Sequence, residues 1–149
     1  MQRVGWIVRA GIGALALINV WWGVWARFAP RNFFEEFPGF GRHWTAAYPP
    51  YNQHLVTDLG STFLTLGVLL GLAAVLNSRA VRTVVLVGVI VFNTLHLEFH
   101  VGHHEGMAPF DVTASLTSLA LGVVGPLLLL AVDARLTSRD NRSTPDQPS

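Results

Sequence analysis

The chain divides into four long apolar runs separated by polar connections: about residues 4–28, 54–76, 81–101 and 112–132. A helix needs about 20 apolar residues to cross a hydrocarbon core of about 30 Å, so each run is long enough to span a bilayer. The expected fold is all-α, an integral membrane four-helix bundle. The opening "MQRVGWIVRAGIGALALINVWW" has the charge and apolarity of a signal peptide. Its apolar stretch is long, however, it has no clear small-x-small cleavage site, and further spans follow, so it reads as a retained helix. Beyond Arg9, Asn19 is the one polar residue inside this first run.

The connections differ in character. The first, "APRNFFEEFPGFGRHWTAAYPPYNQ", is long for a segment without structure of its own. Within it, "RNFFEEF" sets Phe33, Phe34 and Phe37 against Glu35 and Glu36 at helical spacing, which suits a short interfacial helix. Trp44, Tyr48 and Tyr51 are of the aromatic type enriched at headgroup level, and Pro49 and Pro50 stiffen the approach to the second run. This connection is expected to form an aromatic lid over the outer end of the bundle. The turn "NSRAVR" is short and basic, "HHEGMAPFD" has no arginine, and residues 134–149 form a polar tail expected to be disordered.

Arginine placement sets the expected orientation. Arg3, Arg9, Arg79, Arg82, Arg135, Arg139 and Arg142 fall on one side of a four-span protein, and Arg27, Arg31 and Arg42 on the other. The larger group marks the cytoplasmic side, so both termini are expected inside a cell membrane of the bacterial inner-membrane kind.

Composition agrees with this picture. Hydrophobic residues make up 51% of the chain and charged ones only 13%, about half the usual share for a soluble domain. The net charge of +1 comes with no clustered basic face, which argues against a nucleic-acid partner. There is no cysteine, so disulfides, Fe–S clusters and thiolate metal sites are excluded.

The candidate chemistry lies in "HLEFHVGHHEG", where four of the six histidines fall within nine positions. A helix entering at Val81 carries His96 about 22 Å into the core. Asn93, His96 and His100 share one face, which His103 extends, and Gly102 marks a helix end that frees His103 and His104. At the same depth the second run offers His54 and Asp58 at i and i+4, with Ser61 and Thr65 following. The fourth offers Asp111, Ser115 and Ser118. Ionisable groups at this depth are costly and normally converge on a partner. His54, Asp58, His96, His100, His103 and His104 are therefore candidate ligands of a metal ion, and Glu105 and Asp111 candidates to orient a ligating imidazole. Such a set suits zinc, iron, manganese or copper without choosing among them. The alternatives are polar packing among these groups or a haem with histidine axial ligands. Trp22, Trp25 and Trp44 are candidate walls of an apolar substrate pocket, or simply membrane-belt anchors.

The spacing H-x-x-x-H-x-x-H-H over His96, His100, His103 and His104 resembles the histidine boxes of membrane fatty-acid desaturases and hydroxylases. That resemblance implies iron ligation by these side chains. The stretch "FAP" that follows the first run, together with "DLGSTFLTLGVLLGLAAV" of the second run, resembles the small bacterial four-helix membrane proteins of the DoxX-like type, which implies the same fold. Gly67 and Gly71 form G-x-x-x-G, usable for packing within the bundle or for a homodimer, and a larger membrane complex is a further possible partner. Pro126 is expected to remove one backbone hydrogen bond from the fourth helix. Two functions follow as expectations. One is a metal-dependent enzyme, an oxidoreductase or hydrolase, acting on a lipid-soluble substrate; the other is a non-enzymatic subunit, haem-binding or structural.

Overall fold

A computed structural model of the chain describes residues 2–76 and 78–142. Five helices account for most of it: α1 (Gln2–Phe28), α2 (Pro30–Glu36), α3 (Gln53–Val75), α4 (Arg79–Gly102) and α5 (Pro109–Arg142). Between α2 and α3 lie a two-residue hairpin, β1 (Pro38–Gly39) with β2 (Arg42–His43), and a 3₁₀ turn over Thr45–Ala47. The hairpin is antiparallel, with Pro38 opposite His43 and Gly39 opposite Arg42. Four helices, α1, α3, α4 and α5, contain stretches long and apolar enough to cross a membrane. Successive long helices run in opposite directions, and α1 packs on α3, α3 on α4, α4 on α5 and α5 on α1.

Local chemistry sets the helix ends. Asn52 and Ser78 cap α3 and α4, accepting hydrogen bonds from the Leu55 amide at 3.2 Å and the Val81 amide at 3.4 Å. Pro30 and Pro109 each open a helix, where the missing N–H costs nothing. The α4 helix stops at Gly102, where the sequence places it. The helix that carries the fourth apolar run continues past it, since α5 extends to Arg142. No glycine or proline interrupts the chain between Pro126 and Pro145, and Asp133 is held in the bundle, so nothing stops the helix earlier. The expected disorder over 134–142 is therefore replaced by helix, and residues 143–149 lie outside the described residues.

The tightest interface is α1 against α3. A Cβ on Gly60 would sit 2.5 Å from the Arg27 backbone nitrogen, and one on Gly23 would sit 2.6 Å from the Leu64 nitrogen. A Cβ on Gly67 would meet Val20 Cγ2 at 2.7 Å. These three glycines let the two backbones touch. Gly67 is thus consumed by packing within the chain, whereas a Cβ on Gly71 would meet nothing within 4 Å. The main core joins Val8, Ile12 and Ala16 of α1 to Leu70 and Ala73 of α3 and Leu86 and Val89 of α4. Pro126 is fully buried inside α5 without ending it.

Two arginines tie the end of the bundle remote from the hairpin. Arg9 Nε donates to the Ala74 carbonyl at 2.6 Å and its Nη2 to the Val75 carbonyl at 3.1 Å, satisfying acceptors that the end of α3 would leave open. Arg82 of α4 donates through Nε and Nη2 to Asp133 Oδ1 of α5, at 3.1 and 2.9 Å. That pair is nearly closed to solvent, with side-chain exposures of 12% and 6%. Removing one partner of such a pair strands the other charge and costs about 3–5 kcal/mol. Asp133→Ala should therefore lower the stability of the detergent-solubilised protein by an amount of that order in thermal or denaturant unfolding. A loss below about 1 kcal/mol would show that the pair behaves as a surface ion pair.

Candidate functional site

The lid folds over one end of the bundle. Its base is an aromatic cluster in which Phe33 is buried beside Ala26 and Val56, with Trp22, Trp25, Phe34, Phe37, Tyr51 and Leu59 packed around them. Trp25 meets Phe33 edge-on at 5.4 Å, Trp22 meets Phe37 at 5.5 Å, and Phe37 meets Trp44 at 6.2 Å. Glu35 and Glu36 point away, as the spacing of α2 predicts. The turn between β1 and β2 carries Gly39, Phe40 and Gly41 at positive φ, with Phe40 fully exposed at the tip.

Polar groups lock the lid to α4 and α5. Asp111 Oδ1 accepts from Trp44 Nε1 at 2.9 Å and from Arg42 Nη1 at 3.0 Å. The Arg42 guanidinium also lies over the Phe110 ring, 4.6 Å from its centre. The Tyr48 hydroxyl reaches the His103 carbonyl at 2.6 Å and His100 Nδ1 at 2.7 Å. One hydroxyl has one proton, and a carbonyl can only accept. Tyr48 therefore donates to His103, and the contact with His100 requires His100 Nδ1 to carry a hydrogen. That assigns the neutral imidazole its tautomer and leaves His100 Nε2 with the lone pair.

Beneath the lid is a cavity of about 280 Å³. Trp22, Phe37, Trp44 and Phe63 supply its aromatic wall, and Leu15, Ile18, Leu59, Val89 and Leu119 extend the apolar surface. Its polar lining is Asn19, Asn93, His96, His100, Thr45, Tyr48, Ser115 and Ser118. Most of these groups are already committed to backbone. Asn19 donates to the Leu15 carbonyl, Asn93 to Val89, Ser115 to Val112 and Ser118 to Ser115. His96 differs. It stacks on Phe92, with centroids 5.6 Å apart and planes 11° apart, and meets His100 edge-on at 4.7 Å. Among the described residues no hydrogen bond engages either of its ring nitrogens, so both are available to a ligand.

The six-residue ligand set does not assemble. Among the described residues no group of three or more His, Asp or Glu is placed to hold a metal ion. His54 and Asp58 face each other at 3.4 Å on the exposed side of α3, outside the cavity. The cause is helix rotation: Val56, Gly60, Phe63, Gly67 and Leu70 take the inward face, and His54 and Asp58 lie two residues out of phase, about 200° away. His103 is exposed, stacked on Phe99 at 4.3 Å, and donates from Nδ1 to the Phe99 carbonyl at 2.9 Å. His104 and Glu105 are exposed. Asp111 orients no imidazole; it anchors the lid. Trp22 and Trp44 line the cavity; Trp25 does not, because its Nε1 donates to Asn32 at 2.7 Å and its ring packs under α2. The two imidazoles in the cavity sit one helical turn apart on α4, with ring centres 4.7 Å apart.

Sequence reasoning did not assign chemistry to Tyr48, Asn19, Phe37, Phe63 or Met107, all of which line the cavity. For Tyr48 the one local signal is "AAYPPY", which marks a stiff turn but not its partner 52 residues away.

Burial raises the Tyr48 phenol above its ordinary value of 10.0, and the Glu105 carboxylate adds to the effect. The folded protein thus holds this proton more tightly than the unfolded chain. The stabilisation is complete below about pH 10 and declines as pH rises from there through the raised value. In an ultraviolet titration of phenolate absorbance, one tyrosine should ionise above the pH of free tyrosine, and Tyr48→Phe should remove that phase. A late phase that persists in Tyr48→Phe would assign it elsewhere.

No family model, curated protein or solved structure matches the chain, and the site is read from its geometry alone.

Proposed function

We propose that the protein is a multi-pass protein of the cell membrane that binds a small lipid-soluble molecule, of the quinone or quinol type, in the cavity beneath its lid. The carrying observation is the His96 imidazole, aimed into an aromatic-walled cavity with both nitrogens uncommitted, beside a His100 whose tautomer leaves Nε2 basic. A flat ring with a short apolar tail matches walls made by Trp22, Phe37, Trp44 and Phe63. A carbonyl oxygen would accept the N–H of His96, and a hydroxyl would donate to His100 Nε2. The site can therefore hold such a molecule in either state, through a hydrogen bond from or to an imidazole.

This reading keeps the lipid-soluble substrate expected from the sequence and replaces the six-residue metal centre with a pair of imidazoles. The DoxX-like resemblance of the first half supports the architecture and adds no residue to the site. The cavity lies at the end of the bundle opposite Arg9, Arg79 and Arg82. The arginine asymmetry supports an outer position for that end and a cytoplasmic one for both termini.

Two experiments test the proposal. Decyl-benzoquinone titrated into the purified protein should quench tryptophan fluorescence saturably, since Trp22 and Trp44 line the cavity. His96→Ala and His100→Ala should each weaken binding about tenfold, the equivalent of about 1.4 kcal/mol for a lost hydrogen bond. His43→Ala should leave it unchanged, because His43 is exposed and bound to the Glu35 carbonyl. Equal affinity in all three variants would rule out the histidine site. For orientation, reporter fusions after Ser78 and after Ser149 should both read as cytoplasmic, and an external signal after Ser78 would reverse the assignment.

A further inference from the structure

The cavity beneath the lid is not closed on every side. Two residues that line it, Ile18 of α1 and Leu121 of α5, are 44% and 63% exposed, and Ser118 of α5 is exposed as well. A side chain lines a cavity and meets the surroundings at once only at a mouth. This mouth lies between α1 and α5.

The glycine contacts explain why it is there. They draw α1 onto α3 at Gly23 and Gly60, and α5 onto α4 at Gly122, where a Cβ would sit 3.2 Å from Asn93 Oδ1. Gly11 and Ile18 share a face of α1, two turns apart, as Leu129 and Gly122 do on α5. At the end remote from the lid these faces meet, and a Cβ on Gly11 would be 2.7 Å from Leu129 Cδ2. Two turns toward the lid they part, because Gly122 is engaged by α4, and Ile18 is left half uncovered. Above the gap, the bond from Trp44 to Asp111 at 2.9 Å ties the lid to α5. The opening is therefore lateral, with Leu129 on Gly11 as its sill and the lid as its lintel.

Its chemistry is that of the hydrocarbon core. With a rise of about 1.5 Å per residue, Ile18 lies about 15 Å below the lid end of α1 and Leu121 about 18 Å below that of α5, well inside a core of about 30 Å. The Ser118 hydroxyl is satisfied by the Ser115 carbonyl at 2.8 Å, so the mouth presents neither a charge nor an open donor. The outer surfaces beside it, Leu17 and Trp21 on α1 and Val124 and Leu128 on α5, are apolar and exposed. Size supplies the second constraint. A cavity of about 280 Å³ lies just under the range of about 300–1,000 Å³ usual for sites of small molecules, so it holds a ring with a short stretch of chain and no more.

We propose that the ligand is a long-chain membrane quinone that enters from the bilayer between α1 and α5. Its ring lies at His96, and its chain passes out between Ile18 and Leu121 into the hydrocarbon. The inference rests on the reading of the cavity as a quinone-type site and specifies which members of that class it takes. A chain too long for the cavity stays in the lipid, where it costs the complex nothing.

The test uses the full chain in lipid nanodiscs and three probes with one ring: dimethoxy-methyl-benzoquinone without a chain, its decyl derivative, and ubiquinone with its long isoprenoid chain. Affinity is read from saturable tryptophan quenching and expressed per mole of lipid, so that partitioning cancels. Ubiquinone and the decyl compound should bind within about twofold of each other, whereas a closed cavity would reject the longer chain. Ile18→Phe combined with Ser118→Phe adds bulk at two exposed residues of the mouth and keeps the tryptophan content. It should weaken the two chain-bearing probes at least about tenfold more than the ring alone. Leu17→Phe, exposed on α1 outside the cavity, should not discriminate among the three. His96→Ala should weaken all three alike, because it acts on the ring. Ubiquinone bound about tenfold more weakly than the decyl compound, or a mouth variant that affects ring and chain-bearing probes equally, would overturn the lateral route and leave the ring site at His96 standing. If none of the three bound saturably, both readings would fall.

Discussion

The close approach of α1 and α3 is the constraint on which the other features depend. Gly23, Gly60 and Gly67 remove the side chains that would separate the two backbones, and a Cβ at Gly60 would collide with the backbone at Arg27. Backbone cannot yield as a flexible side chain can, so this contact fixes the rotation of α3. Phe63 is thereby turned into the bundle, where it meets Trp22 and Phe92, and Leu59 into the cavity. The same rotation turns His54, Asp58, Ser61 and Thr65 outward. One steric requirement thus gives α3 an apolar inner face and a polar outer end.

The lid shows how an apolar cap is held in register by a few polar contacts. Its aromatic cluster supplies most of the buried area, but such packing is weakly directional. Direction comes from Asp111, whose single oxygen takes both the Trp44 indole and the Arg42 guanidinium, and from Tyr48, which bridges a helix-end carbonyl and an imidazole. These bonds join the lid to α4 and α5, while α2 rests on α1 and α3. The cavity is what remains between an aromatic roof held from two sides and four helices. The tautomer of His100 is one consequence, since the hydroxyl that secures the lid also decides which nitrogen of that ring is basic.

The opposite end is built differently. Arg9 closes the carbonyl end of α3, and Arg82 joins α4 to α5 through Asp133. A cation at a helix C-terminus complements the partial negative charge there. Arg9 and Arg82, which the helix order brings to one end of the bundle, therefore also hold the helices together at that end.

The sequence by itself determined the number of long helices, their order and, within a few residues, most of their ends. Those depend on local quantities: the length of an apolar run, a capping Asn52 or Ser78, a glycine or proline that stops a helix. It also placed Asn93, His96 and His100 on one face, because the period of a helix is fixed. The tertiary structure decided which way each face points. An i, i+4 spacing makes neighbours of His54 and Asp58 but does not set their angle to α4, and that angle follows from glycine contacts between α1 and α3. Asp111 likewise reads as a site carboxylate until Arg42 and Trp44, 69 and 67 residues away, are seen to claim it. Tyr48 carries no local sign of its role, because a hydroxyl's function is set by the two acceptor and donor atoms it reaches, and both lie around the end of α4, 52 and 55 residues away.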